Sequence, residues 1–126
     1  MKNLTGLNIL FLIIFFPLIS SAQCENPRDD FDSLYCLNKI YVQADKDLNA
    51  SYKKLREVVD NEGKSILRSA QLKWIDQRNG RCSFRKDGMF FVSLKCAADM
   101  TISRTNFLND RYRECISSGC LKNKLE

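Results

Sequence analysis

The sequence predicts an all-α protein, an up-down-up antiparallel three-helix bundle stapled by disulfides. Three long stretches repeat apolar residues at three-to-four spacing, the period of an amphipathic helix. No run alternates with the period of two expected of a strand. Six cysteines, Cys24, Cys36, Cys82, Cys96, Cys115 and Cys120, follow an apolar N-terminal stretch. An even count in a small exported chain reads as a disulfide framework.

Residues 1–22 read as a secretory signal peptide. Lys2 supplies the positive start, Ile9 to Ile19 the apolar core, and Ser20-Ser21-Ala22 the small residues for cleavage before Gln23. The apolar core is about a dozen residues, short of the ~20 a spanning helix needs. Cys24 stands where a lipoprotein cysteine would, but lipoprotein processing wants a small residue before it and Gln23 is not small. Periplasmic or secreted release with no membrane anchor is therefore expected. Residues 23–126 are one domain by size.

After a polar arm, the first helix is expected over residues 34–61. Its stripe is Leu37, Ile40/Tyr41, Ala44, Leu48, Tyr52, Leu55 and Val58/Val59. Asn61-Glu62-Gly63 breaks it, the glycine suiting a helix end. The second helix is expected from Ser65, as N-cap, to about Phe84, on Ile66/Leu67, Ala70, Trp74/Ile75 and Cys82, with Arg78 in line. Asp87-Gly88 turns the chain, and the third helix follows over residues 90–115 on Val92, Cys96, Met100, Phe107/Leu108 and Tyr112. Short connections make consecutive helices antiparallel neighbours.

That layout limits the cysteine pairing. Cys36, Cys82 and Cys96 share one end of the bundle, while Cys115 lies at the other with only Cys120 tethered close to it. Bridging needs Cα atoms within ~7 Å, which leaves Cys115–Cys120 and three possible pairings of Cys24, Cys36, Cys82 and Cys96. We adopt Cys82–Cys96, pinning the second hairpin of helices, and Cys24–Cys36, stapling the arm to the first helix. Zinc is not expected, because there is no C-x-x-C and no histidine.

The formal charge of +5 is unevenly spread. Residues 23–63 carry nine acidic and six basic side chains, whereas residues 64–126 carry thirteen basic and six acidic ones. A basic C-terminal half of this kind could contact an anionic envelope polymer. Nucleic acid is not expected as a partner, since no basic-plus-aromatic recognition motif is present.

Catalysis is not expected either, and no cofactor is implied. Without histidine, and with every cysteine assigned to a bridge, neither a Ser–His nor a Cys–His arrangement can form. The acids cluster in the arm and along the first helix, where solvation accounts for them, and no Gly-rich phosphate loop appears.

Each stripe carries one misplaced charge: Asp45, Arg78 and Arg104. At helical rise, Asp45 and Arg104 come roughly level, ~12–13 Å from the shared cysteine end, and Arg78 lies ~6 Å from it. A charge on a buried stripe needs a partner, so an Asp45–Arg104 ion pair with Arg78 nearby is expected as a register-fixing element. Trp74 is expected as a core aromatic. Met89, Phe90 and Phe91 follow the turn at a bundle tip, either capping the core above Cys82 and Cys96 or forming a contact patch.

Residues 41–55 (YVQADKDLNASYKKL), 67–82 (LRSAQLKWIDQRNGRC) and 96–108 (CAADMTISRTNFL) carry a further pattern. With the early pair Cys24 and Cys36, they resemble the LprI-type lysozyme-inhibitor domain family of bacterial envelope proteins. The matching positions are Ala44, Asp45, Leu48, Asn49, Tyr52, Gln71, Trp74, Ile75, Arg78, Cys82, Cys96, Thr101 and Arg104. The resemblance implies a lysozyme or other lytic enzyme as protein partner, and a structural polar core of Asp45, Asn49, Gln71, Arg78 and Arg104. It names no inhibitory residue. Cys115 and Cys120 lie beyond the pattern, and the basic balance would slow encounter with a cationic lysozyme.

Overall fold

The computed structural model describes Cys24 and residues 26–126. The expected leader, residues 1–22, and Gln23 lie outside the described residues. Three helices account for most of the chain: α1 (Asp30–Val58), α2 (Asn61–Cys82) and α3 (Leu94–Ser118). Between α2 and α3 runs a feature the spacing does not predict, an antiparallel hairpin of β1 (Ser83–Lys86) and β2 (Met89–Val92). The expectation of an all-helical chain is corrected accordingly, to a mostly helical fold with a small two-stranded sheet.

Capping chemistry explains the helix starts. Helix α1 begins before the first periodic leucine because the Asp29 carboxylate accepts the backbone N–H of Asp32 at 2.7 Å. Asp60, not Ser65, caps α2, its Oδ1 accepting from Gly63 N at 2.7 Å. The break between α1 and α2 therefore falls at Val59–Asp60, and Gly63 lies inside the first turn of α2. A Cβ there would stand 3.0 Å from Val59 Cβ and 3.4 Å from Leu125 Cδ1, so the glycine permits a close approach. Ser93 caps α3, its side chain accepting from Cys96 N at 3.3 Å.

The hairpin explains why α3 starts at Leu94 and not near Phe90. Asp87 and Gly88 both take positive φ, 51° and 77°, as a two-residue primed turn requires. Asp-Gly is a strong signal for such a turn. The flanking residues hide it because neither strand shows an in–out burial pattern, every residue but Ser83 being exposed.

The core is an aliphatic cluster of Leu48, Leu55, Val59, Leu67, Leu108 and Leu125, with Tyr52, Trp74, Phe107 and Tyr112 packed against it. Helix α1 packs most extensively against α3. Leu125 is the member that periodicity does not reveal. A 3-10 turn at Lys122–Lys124 brings it back into the core, where it is 1% exposed. Lys122 is ion-paired with Asp60 and Glu62, and Lys124 with Glu114, so charge pairs fix the turn at two points.

Candidate functional site

The sulfur atoms are joined as Cys24–Cys36, Cys82–Cys96 and Cys115–Cys120, with Cα separations of 5.8, 5.5 and 4.1 Å. The second bridge ties the end of α2 to the start of α3 and so closes the base of the hairpin. Ser93 N donates to Cys82 O at 2.8 Å across the same point.

The charged residues on the helical stripes do not meet as expected. Arg104, nearly buried, donates Nε to Gln71 Oε1 at 3.0 Å and lies 4.6 Å from the Phe107 ring centroid. Its Nη2 is buried with no hydrogen-bond partner, and desolvation holds its pKa below the ordinary arginine value. Among the described residues no carboxylate lies within 4.0 Å of it, so the expected Asp45–Arg104 pair is corrected. Asp45 instead faces Arg78, Oδ1 to Nη1 3.9 Å, with its side chain 48% exposed. The reason is angular. Ala44, Leu48, Ser51 and Leu55 are the buried face of α1, and Asp45 lies one residue, about 100° of helix, to the side of it. Rise along the axis places Asp45 level with Arg104, yet the carboxylate meets Arg78 instead.

Arg78 is the better-furnished cation. Nη1 reaches Thr101 Oγ1 at 3.5 Å, Nε and Nη2 donate to Asn79 Oδ1 at 3.2 and 3.1 Å, and the rings of Tyr41 and Trp74 lie 5.6 and 5.2 Å away. Asn49 is exposed and bonds back to Asp45, donating to its backbone oxygen at 2.9 Å, so it stands outside the polar core. Thr101 and Thr105 are buried and return their hydroxyls to the backbone one turn earlier. Of these partners, spacing flags neither Asn79 nor Thr105, because a short polar side chain on a helix looks the same whether solvated or paired. Apart from Arg104 Nη2, the polar core thus bonds to itself. Trp74 lies partly buried against the aliphatic cluster and also borders a cleft of about 370 Å³ with Lys73, Gln77, Arg104 and Glu126.

The hairpin differs. Met89 and Phe91 do not cap the core: they are exposed, as are Phe84, Phe90 and Val92. Phe84 and Phe91 stack on each other with centroids 5.0 Å apart, and the Arg85 guanidinium lies 5.2 Å from the Phe90 ring. Phe90 and Val92, with Ser83, line a cleft of about 290 Å³ that Tyr41, Arg78 and Ala97 also border. Phe84 belongs to this patch and could have been found from the Asp87-Gly88 turn, which pairs it with Phe91.

Much of the C-terminal basic charge is matched internally. Arg78, Lys95, Arg111, Arg113, Lys122 and Lys124 each have a carboxylate within 4.0 Å. Among the described residues no three His, Cys, Asp or Glu side chains converge as a metal site, and no helix is long and apolar enough to cross a membrane.

The sequence model of the family described as lysozyme inhibitor LprI matches residues 23–108. The chain belongs to that family. No curated protein and no solved structure matches the chain. The matched span covers all the polar-core residues and the hairpin but ends before the Cys115–Cys120 bridge and Leu125.

Proposed function

We propose that the protein is an exported, non-enzymatic inhibitor that acts by binding a lytic enzyme of the lysozyme class through protein–protein contact. Family membership over residues 23–108 is the observation that carries this proposal. We take residues 1–22 as the cleaved leader and residues 23–126 as one domain, its helices arranged up-down-up. That order is supported by Cys120 Sγ standing 3.7 Å from Val58 O and by the bridge from Cys82 to Cys96. The polar core serves register rather than ligand binding, because Arg104 Nε is bonded to Gln71 and the Arg78 guanidinium to Asn79 and Thr101 within the fold. An anionic polymer is the weaker partner, since six of the basic residues beyond position 63 are already ion-paired.

The mature chain should be titrated into peptidoglycan-lysis assays with lysozymes and lytic transglycosylases of differing surface charge. A dose-dependent loss of lysis, saturating near one inhibitor per enzyme, is expected for at least one target of low or negative charge. Undiminished lysis across the whole panel would sink the proposal. Mass spectrometry of the exported protein should find Gln23 at its N-terminus, and an intact Met1 or a lipidated Cys24 would contradict the proposed export route.

A further inference from the structure

The hairpin carries a group of large apolar side chains that its own fold leaves exposed. Its register sets Phe84 opposite Phe91 and Lys86 opposite Met89, so these four side chains share one face, while Ser83, Arg85, Phe90 and Val92 share the other. The second face is the one whose Phe90 and Val92 border the cleft above Tyr41 and Arg78. The first presents a stacked aromatic pair and a methionine to water, with Phe84 59% and Met89 58% exposed. Three large apolar side chains grouped on one sheet face mark a contact surface.

Two further observations narrow the partner. A two-stranded hairpin is marginal in isolation, but the Cys82–Cys96 bridge clamps the base of this one, so little ordering remains to be done on binding. Arg81, Arg85 and Lys86 have no carboxylate within 4.0 Å among the described residues, in contrast to the ion-paired bases of α3 and the C-terminal turn. A rigid apolar slab with a cationic border is complementary to an apolar groove lined by acids.

Resting on the inhibitor proposal above, we infer that this hairpin is the surface that enters the glycan-binding cleft of the lytic enzyme. Hydrolysis of a glycosidic bond uses a pair of carboxyl groups at the floor of such a cleft, and Arg85 and Lys86 supply the opposite charge. Phe84, Met89 and Phe91 cover the apolar walls on which sugar rings rest. Two strands ~4.8 Å apart make a slab narrow enough for a groove that holds one polysaccharide chain. A lipid surface is the other occupant with apolar and anionic character. The apex argues against it, because Asp87 leads the hairpin and would have to enter the bilayer as an unpaired anion beneath anionic headgroups.

The experiment measures binding of the mature chain to c-type, g-type and i-type lysozymes and to a lytic transglycosylase, with and without saturating tri-N-acetylchitotriose. The wild type should bind at least one of them, and the trisaccharide should displace it. Two double variants, Phe84→Ser with Phe91→Ser and Arg85→Glu with Lys86→Glu, should each weaken binding about 30-fold or more. Leu34→Ser with Tyr35→Ser, on exposed α1 positions, should leave it unchanged. Wild-type binding that survives the trisaccharide, or survives both hairpin variants, would move the contact elsewhere and leave the inhibitor proposal standing. A wild type that binds none of the enzymes would remove both proposals. Hairpin-dependent binding to phosphatidylglycerol vesicles without enzyme binding would assign the surface to membranes. The trisaccharide arm needs no variant and is unaffected by any loss of folding.

Discussion

Arg104 and Gln71 join α3 to α2 through a hydrogen bond, Nε to Oε1 at 3.0 Å, and among the described residues no carboxylate shares the guanidinium. A buried cation is thus held by one neutral acceptor and an aromatic face. Gln71→Leu would leave Nε without an acceptor in a dry environment and should cost ~1–3 kcal/mol. Pairing it with Arg104→Met removes the unsatisfied donor as well, so the double variant should melt closer to the wild type than the single. Urea titrations of the three proteins decide the point, and an additive double variant would show that the bond contributes nothing of its own.

Asp45 should behave differently. Its carboxylate is half exposed and 3.9 Å from Arg78, the geometry of a surface pair. Asp45→Asn should cost under about 1 kcal/mol, and raised salt should shrink that further. A loss of several kcal/mol in a thermal melt would mean that the carboxylate neutralises a buried cation after all.

Leu125 fills a site among Leu55, Leu67 and Leu108, and Gly63 admits its Cδ1. Leu125→Ala should cost ~2–5 kcal/mol through lost contact and a residual cavity. Removing the Cys115–Cys120 bridge, which closes a short loop before the same turn, should cost about 2 kcal/mol by chain entropy. Chemical denaturation of both variants tests whether the C-terminal turn belongs to the cooperative core; unchanged midpoints would show that it does not.

Stability should fall at both pH extremes. The Gly63 backbone N–H, and next Lys122, hold Asp60 below its ordinary 3.8, and Lys124 holds Glu114 below its ordinary 4.5. Carboxylates lowered in the native state stabilise fully above their unfolded values and lose that contribution as pH falls through the native ones. Hydrogen bonds to Glu62 and then Asp60 raise Lys122 above 10.5, so its contribution is complete below that value and is lost as pH rises through the native one. Melting temperature followed across both ranges should show a plateau between two falling limbs. Asp60→Asn should flatten the acid limb, and an unaltered limb would exclude this pair as its source.

Much of the helical core was legible from spacing. Leu48, Leu55, Leu67 and Leu108 all lie on the stripes that a 3.6-residue period selects. The hairpin was not, because strand alternation is a record of one-sided burial and these strands are exposed on both faces. Leu125 has only Leu121 within helical spacing, too short a run for a period to mark it. Asp45 shows a third kind of limit. Spacing identifies charges close to a buried stripe, but an arginine can reach across a helix interface and a short aspartate cannot, so the partner is decided by side-chain length and azimuth. The patch at Met89, Phe90 and Phe91 was visible as composition, and its exposure followed only once the Asp87-Gly88 turn had been placed between paired strands.

The three bridges link cysteines that are neighbours in chain order, first to second, third to fourth and fifth to sixth. On the export route proposed above, a thiol oxidase meeting the polypeptide as it emerges N-terminus first would find each correct partner before any competing thiol arrived. Oxidation in that direction produces the native set without reshuffling, so maturation should need an oxidant but no isomerase. Yields of correctly bridged protein should then be equal in export hosts with and without disulfide isomerase activity.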